Sequence, residues 1–352
     1  MLVRLATRGL QRLNVRHLAA AADVVTVSVQ EARSTTAQAL RRIGWDDENA
    51  EVQADIMTAA ELCGNNQGLV KMFQPALMAP APGAGKPTVE RETDTSAVVN
   101  ANQAPGMLAA VTAADLSAAK ALVHNVAVVS AYNTSTSSGQ LAFYAERQAK
   151  KGLVCIALAN SPEFVAPSAG AAPVFGTNPL AVAVPRKGQP PFVFDMSTSA
   201  VALFGVLTAK ATGAPLDAGV AYDAAGNVTR DASKVLDGGA IATFGGHKGA
   251  GLALCVELLA GALSGGAVVG QEVKKDAKSW GHTFLCIKPD ALVDDFDEKA
   301  AAVCGAVAAA GARVPGDRSA AEARSRIAAD ELPVPRKIWE SITRTAEHGL
   351  PE

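Results

Sequence analysis

Gly176-Thr177-Asn178-Pro179, Asp195-Met196-Ser197-Thr198-Ser199 and Gly245-Gly246-His247-Lys248-Gly249 follow one another in the chain. Each sets small, backbone-exposing residues beside a few polar ones where an apolar segment ends, as a site for a phosphate-bearing ligand requires. In the first, glycine permits close backbone approach. Thr177 and Asn178 offer short hydrogen-bonding arms, and Pro179 fixes the exit into the apolar run Leu180 to Val184. In the second, Asp195 follows Phe192-Val193-Phe194, so a carboxylate and three hydroxyl residues stand at a strand's C-terminal end, where α/β sheets meet ligands. Asp195 or Ser197 serves equally as a helix N-cap, worth about 1 kcal/mol, and the two roles are compatible. In the third, free N–H groups and a lysine precede an apolar helix expected from Ala250, an arrangement suited to an anion.

Outward from these phrases the chain alternates. Val126 to Ala131, Leu153 to Ala157, Leu180 to Val184 and Phe192 to Phe194 are short runs rich in apolar and β-branched residues, read as buried strands. Ala113 to Val123 and Gln140 to Lys150 carry helical spacing, and Val201 to Ala211 carries it more weakly. Before them, Gln30 to Ile43 and Glu48 to Cys63 read as helices, with Asp46 as N-cap of the second. Residues Ala79 to Pro87 read as a linker. After Gly249 the pattern is mostly helical, broken by a strand at Thr283 to Ile287. The expected architecture is α/β, with a non-Rossmann mixed-sheet domain over residues 81–232. Helical parts at 25–80 and 233–352 flank it.

Several classes fall away. The chain has 352 residues, 49% of them apolar, and a net charge of -2, which removes the general electrostatic case for nucleic acid. The richest apolar run, Leu252 to Leu263, is too short for a bilayer and contains Glu257, so no membrane is expected. Five scattered cysteines without a C-x-x-C pair read as buried free thiols in a reducing compartment, with no metal. Gly83-Ala84-Gly85-Lys86-Pro87-Thr88 is not a P-loop. Pro80 stands where the first glycine belongs and Pro87 where the hydroxyl belongs. Leu254 breaks the approach to Gly-x-Gly-x-x-Gly at Gly249-Ala250-Gly251, so any dinucleotide would have to be held without the Rossmann fingerprint.

The first two dozen residues read as a separate segment. Arg4, Arg8, Arg12 and Arg16 recur every fourth position, with leucines between them and no acid before Asp23. On a helix this spacing stacks four guanidinium groups on one stripe, the composition of a mitochondrial transit peptide over residues 1–24. A basic surface helix or tail is the alternative. The expected location is therefore the mitochondrial matrix, with the cytoplasm as the alternative.

The three phrases, in their order and spacing, resemble the malate/L-lactate dehydrogenase family, which also holds sulfolactate and ureidoglycolate dehydrogenases and cyclic-ketimine reductases. Val165-Ala166-Pro167, Val256-Glu257-Leu258-Leu259-Ala260-Gly261 and Pro315-Gly316-Asp317 extend the resemblance over nearly the whole chain from Val27. It implies a homodimer that uses NAD or NADP. Ser137, Ser161, Asp195, Met196, Ser197, His247, Lys248, Gly316, Asp317 and Arg318 would stand on the cofactor side. Asn66, Lys71, Thr177 and Asn178 would meet a small carboxylate substrate, Lys71 as its anchor where the family often has arginine.

The implied reaction moves a hydride between nicotinamide and a C=O or C=N beside a carboxylate. One departure bears on the proton. The family's Ser-His-Gly phrase reads Asn66-Gln67-Gly68 here, and an amide does not titrate near neutral pH. A second family histidine aligns with Ser137. Three readings stand. In the first, an active 2-oxo acid reductase uses Gln67 and Asn66 to polarise the substrate, with Asp195, His247 or water supplying the proton. The second is a cofactor-binding protein of little activity. The third is a ketimine reductase, whose protonated imine needs an acid less. His282 and Glu257 read as structural, Glu257 as a buried carboxylate with a partner.

Overall fold

The computed structural model describes residues 23–65, 67–269 and 280–350; the arginine-rich segment and Asn66 lie outside them. The chain opens with β1 (Val24–Val27), α1 (Val29–Arg42) and α2 (Asp47–Leu62), then 3-10 turns at Leu69–Phe73 and Pro75–Met78. Ser28 caps α1 by accepting from Glu31 N–H, and Asp46 caps α2 by accepting from Asn49 N–H at 2.8 Å, as its sequence context predicts. Val24, the last residue of the segment expected to be leader, belongs to β1.

Six elements follow the linker: β2 (Thr88–Glu92), β3 (Ser96–Asn100), α3 (Gly106–His124), β4 (Val126–Thr134), α4 (Leu141–Ala149) and β5 (Val154–Ala159). Next come β6 (Val165–Ala166), β7 (Leu180–Arg186), β8 (Gln189–Met196), α5 (Leu203–Thr212), β9 (Ala221–Tyr222), α6 (Ala232–Leu236) and β10 (Ala240–Ala242). α7 (His247–Val256) runs on into a π-helical turn at Glu257–Ala262. The described chain ends with β11 (Trp280–Ile287), α8 (Phe296–Ala309), α9 (Asp317–Ala329), β12 (Leu332–Pro335) and α10 (Arg336–His348).

Seven strands make the main sheet in the order β2-β3-β4-β11-β5-β7-β8. β3 and β4 run parallel, joined through α3, and every other neighbouring pair is antiparallel. The expected mixed sheet is present, and it is not the parallel array of a Rossmann domain. The expected division of the chain needs correction. β11 lies beyond residue 232, yet it sits at the centre of the sheet between β4 and β5.

The cores explain why. Leu40, Ile56 and Met57 of the first two helices share one core with Val129, Tyr144 and Phe284 around the sheet and with Val334 and Ile342 near the C-terminus. β1 pairs antiparallel with β12, so the first described strand closes on a strand near the C-terminus. A second, smaller core, including Val165, Phe175, Val206, Val235 and Ile241, lies under the three-stranded sheet β6-β10-β9 with α5 and α6. The boundaries expected at 80/81 and 232/233 therefore do not separate cores.

Two further expectations change. α3 is long and apolar enough to span a bilayer, with a mean hydropathy of 1.4, although more than half of it is buried inside this fold as a core helix. The five cysteines are free, but they are not uniformly buried: Cys255 is exposed, while Cys155 and Cys286 are buried register partners on β5 and β11. Among the described residues no cluster suited to a metal ion occurs.

Candidate active site

Strand register fixes where Asp195 points. Asp195 pairs with Ala181, Ala181 with Ala157, Ala157 with Phe284, and Phe284 with Val129. Directly opposed residues share a sheet face, so Asp195 lies on the face covered by α3 and α4. The small Ala181 and Ala157 let α4 approach closely. The α4 N-terminus then meets the carboxylate: Ala142 N–H donates to Asp195 Oδ2 at 2.8 Å, and Leu141 N–H also donates to it. Burial pushes this carboxyl up to about 6, against the lowering effect of those two N–H groups.

The loop that enters α4 carries a second group. Ser137 accepts a hydrogen bond from Lys71 Nζ at 2.6 Å, joining the Leu69–Phe73 turn to the 135–140 loop. Lys71 is only 7% exposed, and loss of water pushes its ammonium down to about 8. Gln67 lies beside this pair. Its N–H donates to Asn65 Oδ1, and its carbonyl lies next to Gly139. Behind them, Glu61 accepts from Leu69 N–H, and burial pushes its carboxyl up to about 7. α9 fixes the end of α2, because Arg326 donates to the carbonyls of Glu61 and Leu62. A cation there also meets the negative end of the helix.

The 176–179 turn is tied on three sides. Thr177 N–H donates to Ser161 Oγ at 3.0 Å. Thr198 donates through its N–H and its hydroxyl to Thr177 O, and the hydroxyl also reaches Asn178 O. Glu257 holds the third side: Oε2 accepts from Asn178 Nδ2 at 2.8 Å, and Oε1 accepts from Asn160 Nδ2 at 3.1 Å. These are the partners expected of a buried Glu257. They also fix both amide orientations, since Asn178 Nδ2 donates to Ala253 O and Asn160 Oδ1 accepts from Gly281 N–H. Glu257 opens the π-helical turn, a distortion frequent where helices serve a site.

The third phrase adjoins the second. Phe244 N–H donates to Thr198 O, Ala200 N–H donates to Ala242 O, and Ser199 bridges Thr243. The loops around Asp195 and Lys248 are thus laced together. α7 begins at His247, earlier than the expected Ala250, because Gly246 takes φ +63° and caps it. His247 and Lys248 are exposed in its first turn. Gly316 packs on β8, where an added Cβ would lie 2.9 Å from Val193 N, two residues from Asp195. Asp317 is paired with buried Arg186 at 2.5 Å, and Arg318 is exposed.

The structure therefore gathers Gln67, Lys71, Ser137 and Asp195 along one loop. Ser161, Thr177, Asn178, Ser197, His247 and Lys248 lie along the adjoining ones, with Gly316 and Asp317 on β8; Met196 ends that strand. Sequence reasoning missed Asn160 and Arg186 and gave Thr198 no role of its own; single polar residues in apolar strands carry no local signal. His282 is fully buried on β11, neither ring nitrogen has a hydrogen-bond partner, and burial pushes it down to about 4.

Two features fit a nicotinamide dinucleotide. The exposed first turn of α7 presents N–H groups and a lysine to an anion. Asn178 Oδ1 is buried without a partner, an acceptor left for a ligand N–H. No glycine fingerprint is needed for any of these.

This sheet and these loops define a class of oxidoreductases that bind NAD(P) outside the Rossmann fold. The chain belongs to the malate/L-lactate dehydrogenase family, whose model matches residues 27–343. It is 32% identical to a Δ1-pyrroline-2-carboxylate reductase of Pseudomonas fluorescens over 336 residues, 91% of this chain and 98% of that one. It is 33% identical to a (2R)-3-sulfolactate dehydrogenase (NADP+) of Chromohalobacter salexigens, covering 87% and 94%. The solved Δ1-piperideine-2-carboxylate reductase of Pseudomonas syringae pv. tomato superimposes with a TM-score of 0.84 at 29% identity, covering 91% and 99%. The chain is an NAD(P)-dependent oxidoreductase of this family.

Proposed function

We propose that the chain reduces a small 2-oxo acid to its 2-hydroxy acid, and the reverse, with Asp195, Lys71 and Gln67 around the reacting carbon. One observation carries this reading: a buried lysine and a partly buried carboxylate stand at the two ends of one short loop, beside the laced 176–179, 197–199 and 247–248 segments. Bound NAD(P)H supplies a hydride. Ser161, Asp195 to Ser197, His247 and Lys248 would hold it, with Gly316, Asp317 and Arg318 at the far side of β8. Lys71 draws in the substrate carboxylate, Thr177 and Asn178 limit its position, and Gln67 donates to the polarising oxygen. The fixed α4 N–H groups keep Asp195 in place.

A second reading has support of its own. Gln67 cannot supply a proton, and a cyclic imine that arrives protonated does not ask it to; reductases of such imines are among the relatives above. A panel of 2-oxo acids and cyclic imines with NADH and NADPH separates the two. Turnover of 2-oxo acids at least about 10-fold above imines supports the first, the reverse supports the second, and binding without turnover of either class supports a cofactor-binding role. Thermal-shift titration chooses the cofactor: saturation at about 100 times Kd adds about 2.7 kcal/mol.

The homodimer and the mitochondrial matrix are part of this proposal. Leu254, Leu258, Leu259 and Leu263 form an exposed apolar ridge along α7 and its π-helical extension, which supports burial against a second copy. Light scattering at twice the 35.9 kDa chain mass is the expected result. The fourfold arginine repeat supports import, and a green-fluorescent fusion of the first residues tests it.

A further inference from the structure

We propose that Lys71 is the proton source for reduction and passes its proton through the Ser137 hydroxyl to the substrate heteroatom. This rests on the oxidoreductase reading above and assigns the proton that Gln67 cannot carry. Lys71 is buried and Ser137 is half-buried, on the loop that enters α4 beside Asp195. The 2.6 Å bond between them is short enough for direct transfer. An ammonium at about 8 is charged at neutral pH yet gives up its proton readily.

The neighbouring groups suit the task less well. Asp195 accepts from two helix N–H groups. His282 is held near 4 and is an uncharged imidazole at neutral pH. Glu61 sits on α2 behind the turn, with its carboxyl on Leu69 N–H. The 135–140 loop contains no ionisable residue. α10 packs Ile338, Ser341, Ile342 and Thr345 inward, with Glu340 and Arg344 exposed. The Pro75–Met78 turn has no ionisable side chain. Lys71 is thus the one cation buried beside the loop among the described residues.

The step balances. A hydride that bound NAD(P)H would give up, becoming NAD(P)+, forms the new C–H bond as the C=O π pair moves to oxygen. That oxygen takes the Ser137 proton, Ser137 takes one from Lys71 Nζ, and neutral Lys71 is recharged from solvent. In oxidation the neutral amine receives the alcohol proton by the same route.

Lys71→Arg keeps the charge and removes the titration, because guanidinium does not deprotonate in the working range. The expected result is a KM within about 3-fold of wild type and a kcat at least about 100-fold lower. The wild-type decline in reductive kcat above about pH 8 should disappear from the variant. Ser137→Ala lowers kcat about 10-fold or more and keeps the decline. Alkylamines added to Lys71→Ala restore turnover according to their basicity. Independently of turnover, competitive amine labelling read by mass spectrometry gives Lys71 a midpoint near 8. A Lys71→Arg enzyme with wild-type kcat and an unchanged decline overturns the assignment while leaving the oxidoreductase reading intact. A labelling midpoint near that of free lysine also overturns it. Absence of turnover by wild type on every 2-oxo acid and imine overturns the oxidoreductase reading, and the assignment with it.

Discussion

Glu257→Gln should destabilise the protein by about 3 kcal/mol and abolish measurable dinucleotide binding. Both carboxylate oxygens accept from amides, Asn178 Nδ2 and Asn160 Nδ2. A glutamine offers one oxygen and one NH2, so one asparagine donor is left facing another donor. A buried donor without an acceptor costs about 1–3 kcal/mol, and hydrogen bonds to charged groups contribute about 1.5–3. The consequence reaches further than stability. Asn178 sits at φ +38° and is held there by Glu257, Ala253 O and Thr198. Once released, the 176–179 turn no longer presents Thr177 or Asn178 Oδ1 to a ligand. Urea unfolding and fluorescence titration with NADH read the two effects. A variant as stable as wild type with unchanged affinity would remove Glu257 from this account.

Asp195→Asn should lower kcat about 100-fold, the range for removing one fixed electrostatic group beside the reacting atoms, and change how stability depends on pH. A carboxyl raised from near 4 in the unfolded chain to about 6 in the fold favours the folded state only when protonated. Its contribution is complete below about pH 4 and is lost as the pH rises through about 6, a fall of about 3 kcal/mol. The variant lacks this component. The difference in unfolding free energy between variant and wild type should therefore move by about 3 kcal/mol between pH 4 and 7, in favour of the variant at the higher pH. A difference constant across that range would show that Asp195 titrates normally.

The helices around the site were legible where local chemistry marks an end. Asp46 caps α2 and Gly44 precedes it, and α1 and α2 fall within a residue or two of their sequence pattern. Strands were legible where they alternate within an apolar run, as in β5 and β7. β2 was not: Thr88–Glu92 is an exposed edge of alternating charges, with no buried face to impose a pattern. The central place of β11 was not legible either, because pairing between distant strands leaves no mark on local periodicity. At the site, Gly246, Asp195 and the 176–179 turn announced themselves through backbone chemistry. The Lys71–Ser137 and Glu257–Asn160 pairs did not; each joins residues far apart in sequence whose partners only the fold selects.

In the function proposed above, the loops around Asp195 and Lys248 form one surface for a pyridine nucleotide. Titration of wild type and Lys248→Ala with NADH and with NADPH, followed by nicotinamide fluorescence, tests it most directly. Wild type should bind at least one cofactor saturably, with affinity about 10-fold or more weaker in the variant as one charge-assisted contact is lost. Equal affinity in both proteins, or no binding of either cofactor by wild type, would contradict it.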